Sequence, residues 1–142
     1  MVTSTTFDIL GGATETTEHW LADLREEIGW VSERGAYLCL RSTLHALRDQ
    51  MTVGDAAKLG DALPVLIRGV FYEGWNPSAV PVTYVDDEAF LTRIRLGCRV
   101  EPGPDPEPAA RAVFSVLSRR VDAEVIKALK ASLPPDIRKL WP

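Results

Sequence analysis

Two stretches of the sequence, "ALPVLIRGVF" (Ala62–Phe71) and "SLPPDIRKLW" (Ser132–Trp141), share one pattern. Each reads Leu-Pro, two variable residues, Ile-Arg, two more variable residues and then an aromatic residue, and the two stretches lie seventy positions apart. Proline is tolerated in the first turn of a helix but breaks the interior of a helix. Each stretch therefore predicts that one helix ends at the leucine and that another begins at the proline.

The seventy-residue offset extends well beyond these stretches, because residues 18–72 align with residues 88–142 without a gap. Few aligned residues are identical, but helix-period apolar residues, a helix cap (Thr52 and Asp122), the Leu-Pro break and the final aromatic residue all repeat at one offset. The aligned apolar pairs are Trp20/Phe90, Leu21/Leu91, Leu24/Ile94, Leu44/Phe114, Leu47/Leu117, Met51/Val121, Leu59/Leu129, Leu63/Leu133, Ile67/Ile137 and Phe71/Trp141. The pattern predicts two tandem copies of a four-helix unit.

We therefore predict an all-α fold of about eight helices, with the two units packed as one pseudo-symmetric helical bundle domain over residues 1–142. A proline-rich linker is expected at about residues 75–86, and "VPVTYV" (residues 80–85) is the only stretch with a strand-like composition. Residues 1–14 combine threonines with a glycine pair. They are expected to form an extended or loose lead-in without a function.

Composition narrows the class of protein. The chain has 142 residues, a net charge of -4 and no block of five like charges, which disfavours nucleic-acid binding. It lacks a run of about 18 apolar residues, so no membrane span is expected. Cys39 and Cys98 show no metal-binding or disulfide-framework spacing, so free buried thiols, a reducing cytoplasm and no metal or cofactor are predicted.

The run "LHALRDQM" (residues 44–51), the run "AAKLGDALPVLIRGVFYEGW" (residues 56–75) and the shorter echo "VFSVLSRRVDAEVIKALKASLPPDIRKLW" (residues 113–141) resemble a bacterial family known as domain of unknown function 2267. The resemblance covers about residues 15–142. It implies an all-helical prokaryotic domain. The family carries no established activity, so the resemblance implies no catalytic residues.

Both histidines have candidate acidic partners. His19, Asp23 and Glu26 form one cluster on the first helix, opposite its apolar side, and this position favours a solvated face over a metal site. His45 is predicted to lie off the apolar side of the second helix, near Arg41 and one turn before Asp49. A general base also needs a nucleophile or a pocket. No catalytic residue is therefore predicted.

Several charged residues recur at the seventy-residue offset. The recurring pairs are Glu18/Glu88, Arg25/Arg95, Arg41/Arg111 and Arg68/Arg138. Recurrence of a charge indicates a specific partner, since an apolar core alone would not require it. One interpretation is structural, with partly buried ion pairs that set the register of the helices. The other is functional, with arginines of the two units converging on an anion or an acidic segment.

The stretch "FYEGWNP" (Phe71–Pro77) has no counterpart in the second unit. Tyr72 and Trp75 either cover a helix end or form a binding surface, because tyrosine and tryptophan often anchor interfaces. Glu73 lies at a helix C-terminus, where a carboxylate is electrostatically unfavourable, so a basic partner is expected for it.

These features favour a protein-interaction or self-association module without catalytic activity. Its candidate surfaces are the groove between the units and the corner from Tyr72 to Trp75. The alternative is a small-molecule or anion-binding protein, or an enzyme, with a pocket at the interface between units that is lined by Arg41, His45, Tyr72 and Glu73. The candidate binding residues are Arg41, His45, Arg68, Tyr72, Glu73, Trp75, Arg111 and Arg138.

Overall fold

The computed structural model describes residues 4–29, 31–98 and 105–142, with side chains from residue 8 onward. These ranges contain eight α-helices and one 3-10 helix, and none of them contains a strand. The helices are α1 (Ser4–Ile28), α2 (Glu33–Asp49), α3 (Val53–Asp61), α4 (Val65–Tyr72), α5 (Asp87–Gly97), α6 (Pro106–Arg120), α7 (Ala123–Ser132) and α8 (Pro135–Arg138), with the 3-10 helix at Pro77–Ala79. The all-α prediction is confirmed.

Four of the helices begin at the cap residues and prolines that the sequence indicated. The Thr52 hydroxyl accepts a hydrogen bond from the Asp55 amide at the start of α3, and the Asp122 carboxylate accepts one from the Glu124 amide at the start of α7. Pro64 immediately precedes α4, and Pro134 immediately precedes α8. Each Leu-Pro stretch is therefore a helix restart, as its sequence predicted.

The ten aligned apolar pairs form most of the hydrophobic core. Every one of these side chains, from Trp20 and Phe90 to Phe71 and Trp141, is buried. Phe114 stacks on Trp141 with ring centroids 4.4 Å apart, and Phe90 lies 6.3 Å from Phe114. The repeat in the sequence thus identified side chains that are buried away from water. Burial of apolar side chains is the main favourable contribution to the free energy of folding.

Helix α2 lies at the centre of the fold, with α1, α4, α5 and α6 packed around it. It is buried along almost its whole length from Ala36 to Arg48. Packing also joins the two repeat units, because α5 lies against α2, α1 against α6 and α3 against α7. A Cβ atom on Gly97 would collide with the Ser42 hydroxyl, so glycine permits the close crossing of α5 and α2. The pseudo-symmetry of the two units stays a prediction.

The prediction of an extended lead-in at residues 1–14 is wrong for the part that the structure describes, because α1 begins at Ser4. Helical hydrogen bonds are local, and the pair Gly11 and Gly12 weakens a helix without breaking it. Leu10 is exposed, and its carbonyl also accepts a bond from the Thr14 hydroxyl. This end of α1 is a helical extension that lies outside the core.

The linker between the units is held against α2. The Val82 amide donates to the Asp49 carbonyl (2.6 Å), and the Tyr84 hydroxyl donates to the Ala46 carbonyl (3.1 Å). The Tyr84 ring also meets the Phe90 ring edge-on at 5.4 Å. Within the described ranges, no helix is both long and apolar enough to span a membrane.

Candidate functional site: the groove between α3 and α7

The recurring arginines Arg68 and Arg138 bind the carbonyl groups that end the preceding helix. Arg68 Nε donates to the Gly60 carbonyl (2.8 Å), and its Nη2 donates to the carbonyls of Asp61 (3.1 Å) and Leu63 (2.9 Å). Arg138 makes the matching set of bonds seventy residues later, to the carbonyls of Lys130 (2.9 Å), Ala131 (3.4 Å) and Leu133 (2.7 Å).

Each guanidinium therefore caps the C-terminus of one helix and fixes the helix that follows it. Both the cationic charge and the planar donor fork suit such an end, where carbonyls lack intrahelical partners and carry partial negative charge. These contacts support the structural interpretation of the recurring arginines, with backbone carbonyls taking the place of the expected acidic side chains.

A second recurring pair, Arg41 and Arg111, also contacts the ends of helices. Arg41 Nη2 bonds Glu73 at 2.6 Å, just beyond α4, and this hydrogen bond holds the pKa of Glu73 below its usual value. Glu73 thus has the basic partner that its position required. Arg111 pairs with Glu107 on its own helix (3.0 Å) and donates to the Leu140 carbonyl (3.2 Å), just beyond α8.

His45 is buried rather than off the apolar side of α2 as predicted, with 6% of its surface exposed. Its Nε2 lies 2.7 Å from the Val70 carbonyl and donates to it. Burial lowers the pKa of His45, and the nearby cations Arg48 and Arg41 act in the same direction. The prediction failed because α2 has helices packed around it and so has no broad solvent-facing side.

Sequence reasoning missed Arg48, which is buried at 3% exposure. Its Nη1 donates to the carbonyls of Phe71 (2.7 Å) and Glu73 (2.8 Å), and its Nε bonds the Asp49 carboxylate (2.8 Å). Arg41, His45 and Arg48 are spaced i, i+4 and i+7 and so share one face of α2. That spacing was the available signal for a polar stripe that holds the end of α4.

Tyr72 and Trp75 pack on the protein itself. Their rings lie 5.2 Å apart, both side chains are half-buried, and a Cβ atom on Gly60 would collide with the Tyr72 ring. Tyr72 therefore lies over α3. This contact favours the interpretation of these aromatic residues as a cover for a helix end.

Two members of the His19, Asp23 and Glu26 cluster on α1 contact charged side chains of the protein. Asp23 accepts a hydrogen bond from Arg120 (2.6 Å), which lowers the pKa of Asp23, while His19 lies 3.9 Å from Glu15. No group of three or more potential metal-ligating side chains occurs in the part of the chain that the structure describes.

A surface groove of about 380 Å³ lies between α3 of the first unit and α7 of the second. Leu59 and Leu129, an aligned pair, form its floor, with Val125 and Ala128 beside them. The polar residues along its edges are Asp55, Lys58, Asp61, Glu124 and Ser132. Three carboxylates therefore surround an apolar floor, with one ammonium group among them.

The sequence predicted a groove or pocket between the units, and the α3–α7 groove is lined by other residues than those expected for it. Arg41, His45, Tyr72 and Glu73 were the expected lining, and none of them lines the α3–α7 groove. The position of this groove depends on which outer helices of the two units become neighbours, and helical periodicity carries no information about that. In the sequence, only the alignment of Leu59 with Leu129 pointed to residues of this groove.

The fold and the groove together define an all-α protein with an apolar groove between α3 and α7 whose edges carry carboxylates. The chain belongs to the family described as uncharacterized conserved protein (DUF2267), whose sequence model matches residues 17–140. The resemblance read from the Leu-Pro stretches is thereby confirmed. The comparison with curated proteins found no match.

Proposed function

We propose that the protein is an interaction module whose α3–α7 groove binds a basic, amphipathic segment of another protein. The observation that carries this proposal is the apolar floor of Leu59 and Leu129 bordered by Asp55, Asp61 and Glu124. An amphipathic helix binds such a groove by inserting apolar anchors while its polar residues contact the edges. Carboxylates at those edges favour a segment that carries lysine or arginine.

The size of the groove suits side-chain anchors. Its volume of about 380 Å³ equals that of roughly a dozen water molecules at about 30 Å³ each. Release of such water from an apolar floor favours binding, and a few anchors inserted in a pocket usually dominate the affinity of an interface.

The side chains of the groove support binding rather than catalysis. Ser132 is its one hydroxyl residue, and that hydroxyl donates a hydrogen bond to the Leu129 carbonyl of its own helix (2.8 Å). A serine nucleophile needs a neighbouring base to accept its proton. Both histidines lie outside the lining of the groove.

A small apolar ligand is the second candidate, and the volume of the groove is the observation that favours it. Pockets for small molecules enclose about 300–1,000 Å³ and are mostly apolar with a few polar groups, and the groove of about 380 Å³ falls inside that range. A flexible basic peptide and a neutral apolar molecule differ in their dependence on salt.

Peptide-display selection on the full chain tests the proposal. We expect selected peptides to place apolar residues at i, i+3 or i+4 and i+7, with lysine or arginine beside them. Ala128→Trp fills the groove from an exposed position and should weaken peptide binding at least about tenfold, as measured by fluorescence anisotropy. Binding should also weaken as salt is raised.

Ala131→Trp is the matched control, because Ala131 is exposed on the same helix and lies outside the groove lining. It should leave peptide affinity unchanged. Peptides without basic residues, or equal binding by the two variants, would overturn the proposal. Sedimentation velocity distinguishes self-association, which would appear as a concentration-dependent mass that Ala128→Trp abolishes.

A further inference from the structure

We propose that Cys39 and Cys98 form a reversible thiol–disulfide switch that links the two repeat units covalently. Their Sγ atoms lie 3.0 Å apart although the residues are separated by 59 positions in the chain. Cys39 belongs to α2 in the first unit, and Cys98 caps the C-terminal end of α5 in the second. Both are free thiols in this structure.

The packing of α2 against α5 brings the two sulfur atoms together. Gly97 crosses α2 at Ser42, where a larger residue would collide with the hydroxyl, and Cys98 follows directly. A disulfide bond is about 2.05 Å long, so its formation requires the sulfurs to approach by only about one ångström from the observed 3.0 Å. The packing of α2 against α5 therefore holds the two sulfur atoms within about one ångström of bonding distance.

The two thiols have different surroundings and so different roles. Cys39 is 0% exposed, whereas Cys98 is half-buried and reachable from solvent. A hydrogen bond from the Cys39 thiol lowers the pKa of Cys98, while the same bond, together with burial, raises the pKa of Cys39. Cys98 is thus the thiol that reacts first with an oxidant. Cys39 is the resolving thiol, which then attacks the oxidised Cys98 sulfur.

The oxidant is a hydroperoxide, and the chemistry balances in two steps. The Cys98 thiolate attacks the terminal oxygen of the peroxide, the O–O bond breaks, and the leaving alkoxide takes up a proton to give an alcohol and Cys98 sulfenic acid. The Cys39 sulfur then attacks the Cys98 sulfur, and the S–O bond breaks. Hydroxide leaves with the Cys39 proton as water, and the disulfide remains.

The reaction at Cys98 should be slower than at a dedicated peroxide-reducing cysteine. Cys98 lies at the C-terminal end of α5, where the negative end of the helix dipole opposes a thiolate, whereas highly reactive cysteines often lie at helix N-termini. The hydrogen bond from Cys39 acts in the opposite direction and favours the thiolate. The pair is therefore suited to sustained oxidation rather than to rapid peroxide removal.

Oxidation of the intact chain with hydrogen peroxide tests the proposal. Free-thiol titration should fall from two thiols to none, and the protein mass should fall by two hydrogen atoms. Dithiothreitol should restore both. The oxidised chain should melt at least about 5 °C higher, because the cross-link between α2 and α5 restricts the unfolded chain.

Two variants separate this switch from simple thiol damage. Cys98→Ser changes a half-buried residue and should retain one unoxidised thiol, because Cys39 is fully buried. Cys39→Ala removes the resolving thiol, so Cys98 should gain two oxygen atoms and become a sulfinic acid that dithiothreitol does not reverse. Circular dichroism confirms that both variants fold.

Three results would overturn the proposal. Wild-type protein could keep both thiols under peroxide, or it could gain oxygen at Cys98 as Cys39→Ala does. It could also form the disulfide with an unchanged or lower melting temperature, which would exclude a link that stabilises the packed units.

Discussion

At the scale of single residues, the two residues of the repeated Ile-Arg pair have different roles. The isoleucine packs in the core, and the arginine caps the end of a helix. Ile67 and Ile137 are buried, while Arg68 and Arg138 bind carbonyls at the ends of α3 and α7. The isoleucines were predictable from periodicity. The acceptors of the arginines were not, because backbone carbonyls leave no pattern in a sequence.

Substitution of these arginines by methionine tests the capping role. Methionine keeps an apolar stem but removes the donors. Arg68→Met should lower the free energy of unfolding by about 1–2 kcal/mol, and Arg138→Met by about 0.5–1 kcal/mol, because exposed caps contribute less. Arg68 is half-buried and Arg138 is exposed. Chemical denaturation monitored by circular dichroism measures both values.

Lysine provides the comparison that separates charge from geometry. Arg68→Lys keeps the charge but cannot direct a planar fork at the three carbonyls, so its stability should lie between those of wild type and Arg68→Met. Lys127→Met, at an exposed position on α7, should change stability by less than about 0.5 kcal/mol. An Arg68→Met protein as stable as Lys127→Met would refute the cap.

At the scale of secondary-structure elements, the sequence predicted the helix restarts correctly. It mispredicted the conformation at the start of α1 and the burial of α2. The start of α1 was expected to be extended, although α1 begins at Ser4. The second helix was expected to have a polar side, although it is buried on nearly all sides. Propensity and periodicity describe a helix against an average environment, whereas the neighbours of each helix determine its actual environment.

Alanine substitutions at the glycine pair test the helical assignment of the α1 extension. A Cβ atom on Gly11 or Gly12 meets open space, and Gly→Ala within a helix contributes about 0.5–1 kcal/mol. The double substitution should raise helix content by far-UV circular dichroism and slow amide exchange around Leu10. An extended segment would show neither change.

Gly97→Ala is the matched control, because the added Cβ would collide with Ser42 in the close crossing of α5 and α2. The same chemical change should therefore destabilise the protein at Gly97, with a lower melting temperature, while it stabilises the helix at Gly11 and Gly12. Equal effects at all three positions would contradict the assigned packing.

At the scale of the whole molecule, each half of the chain completes the core of the other. Helix α5 packs on α2, and α1 packs on α6, so much of each apolar face is covered by the other half of the chain. Small chains bury a low fraction of their surface and are marginally stable. Separate units should therefore fail to fold.

Cleavage of the chain within the linker tests this dependence. Fragments 1–78 and 79–142, separated within the exposed 3-10 helix, should each show little helix and no cooperative melting. An equimolar mixture should regain most of the helix content of the intact chain, as measured by circular dichroism. Cooperative unfolding of either fragment alone would show that one unit carries its own core.

The sequence by itself determined the all-α class, the helix restarts at Pro64 and Pro134 and most of the apolar core, from Trp20 to Trp141. These features depend on local backbone chemistry and on helical period. Only the tertiary structure decided that α3 and α7 enclose a groove and that Cys39 meets Cys98. Both are contacts between distant parts of the chain, and long-range packing determines them.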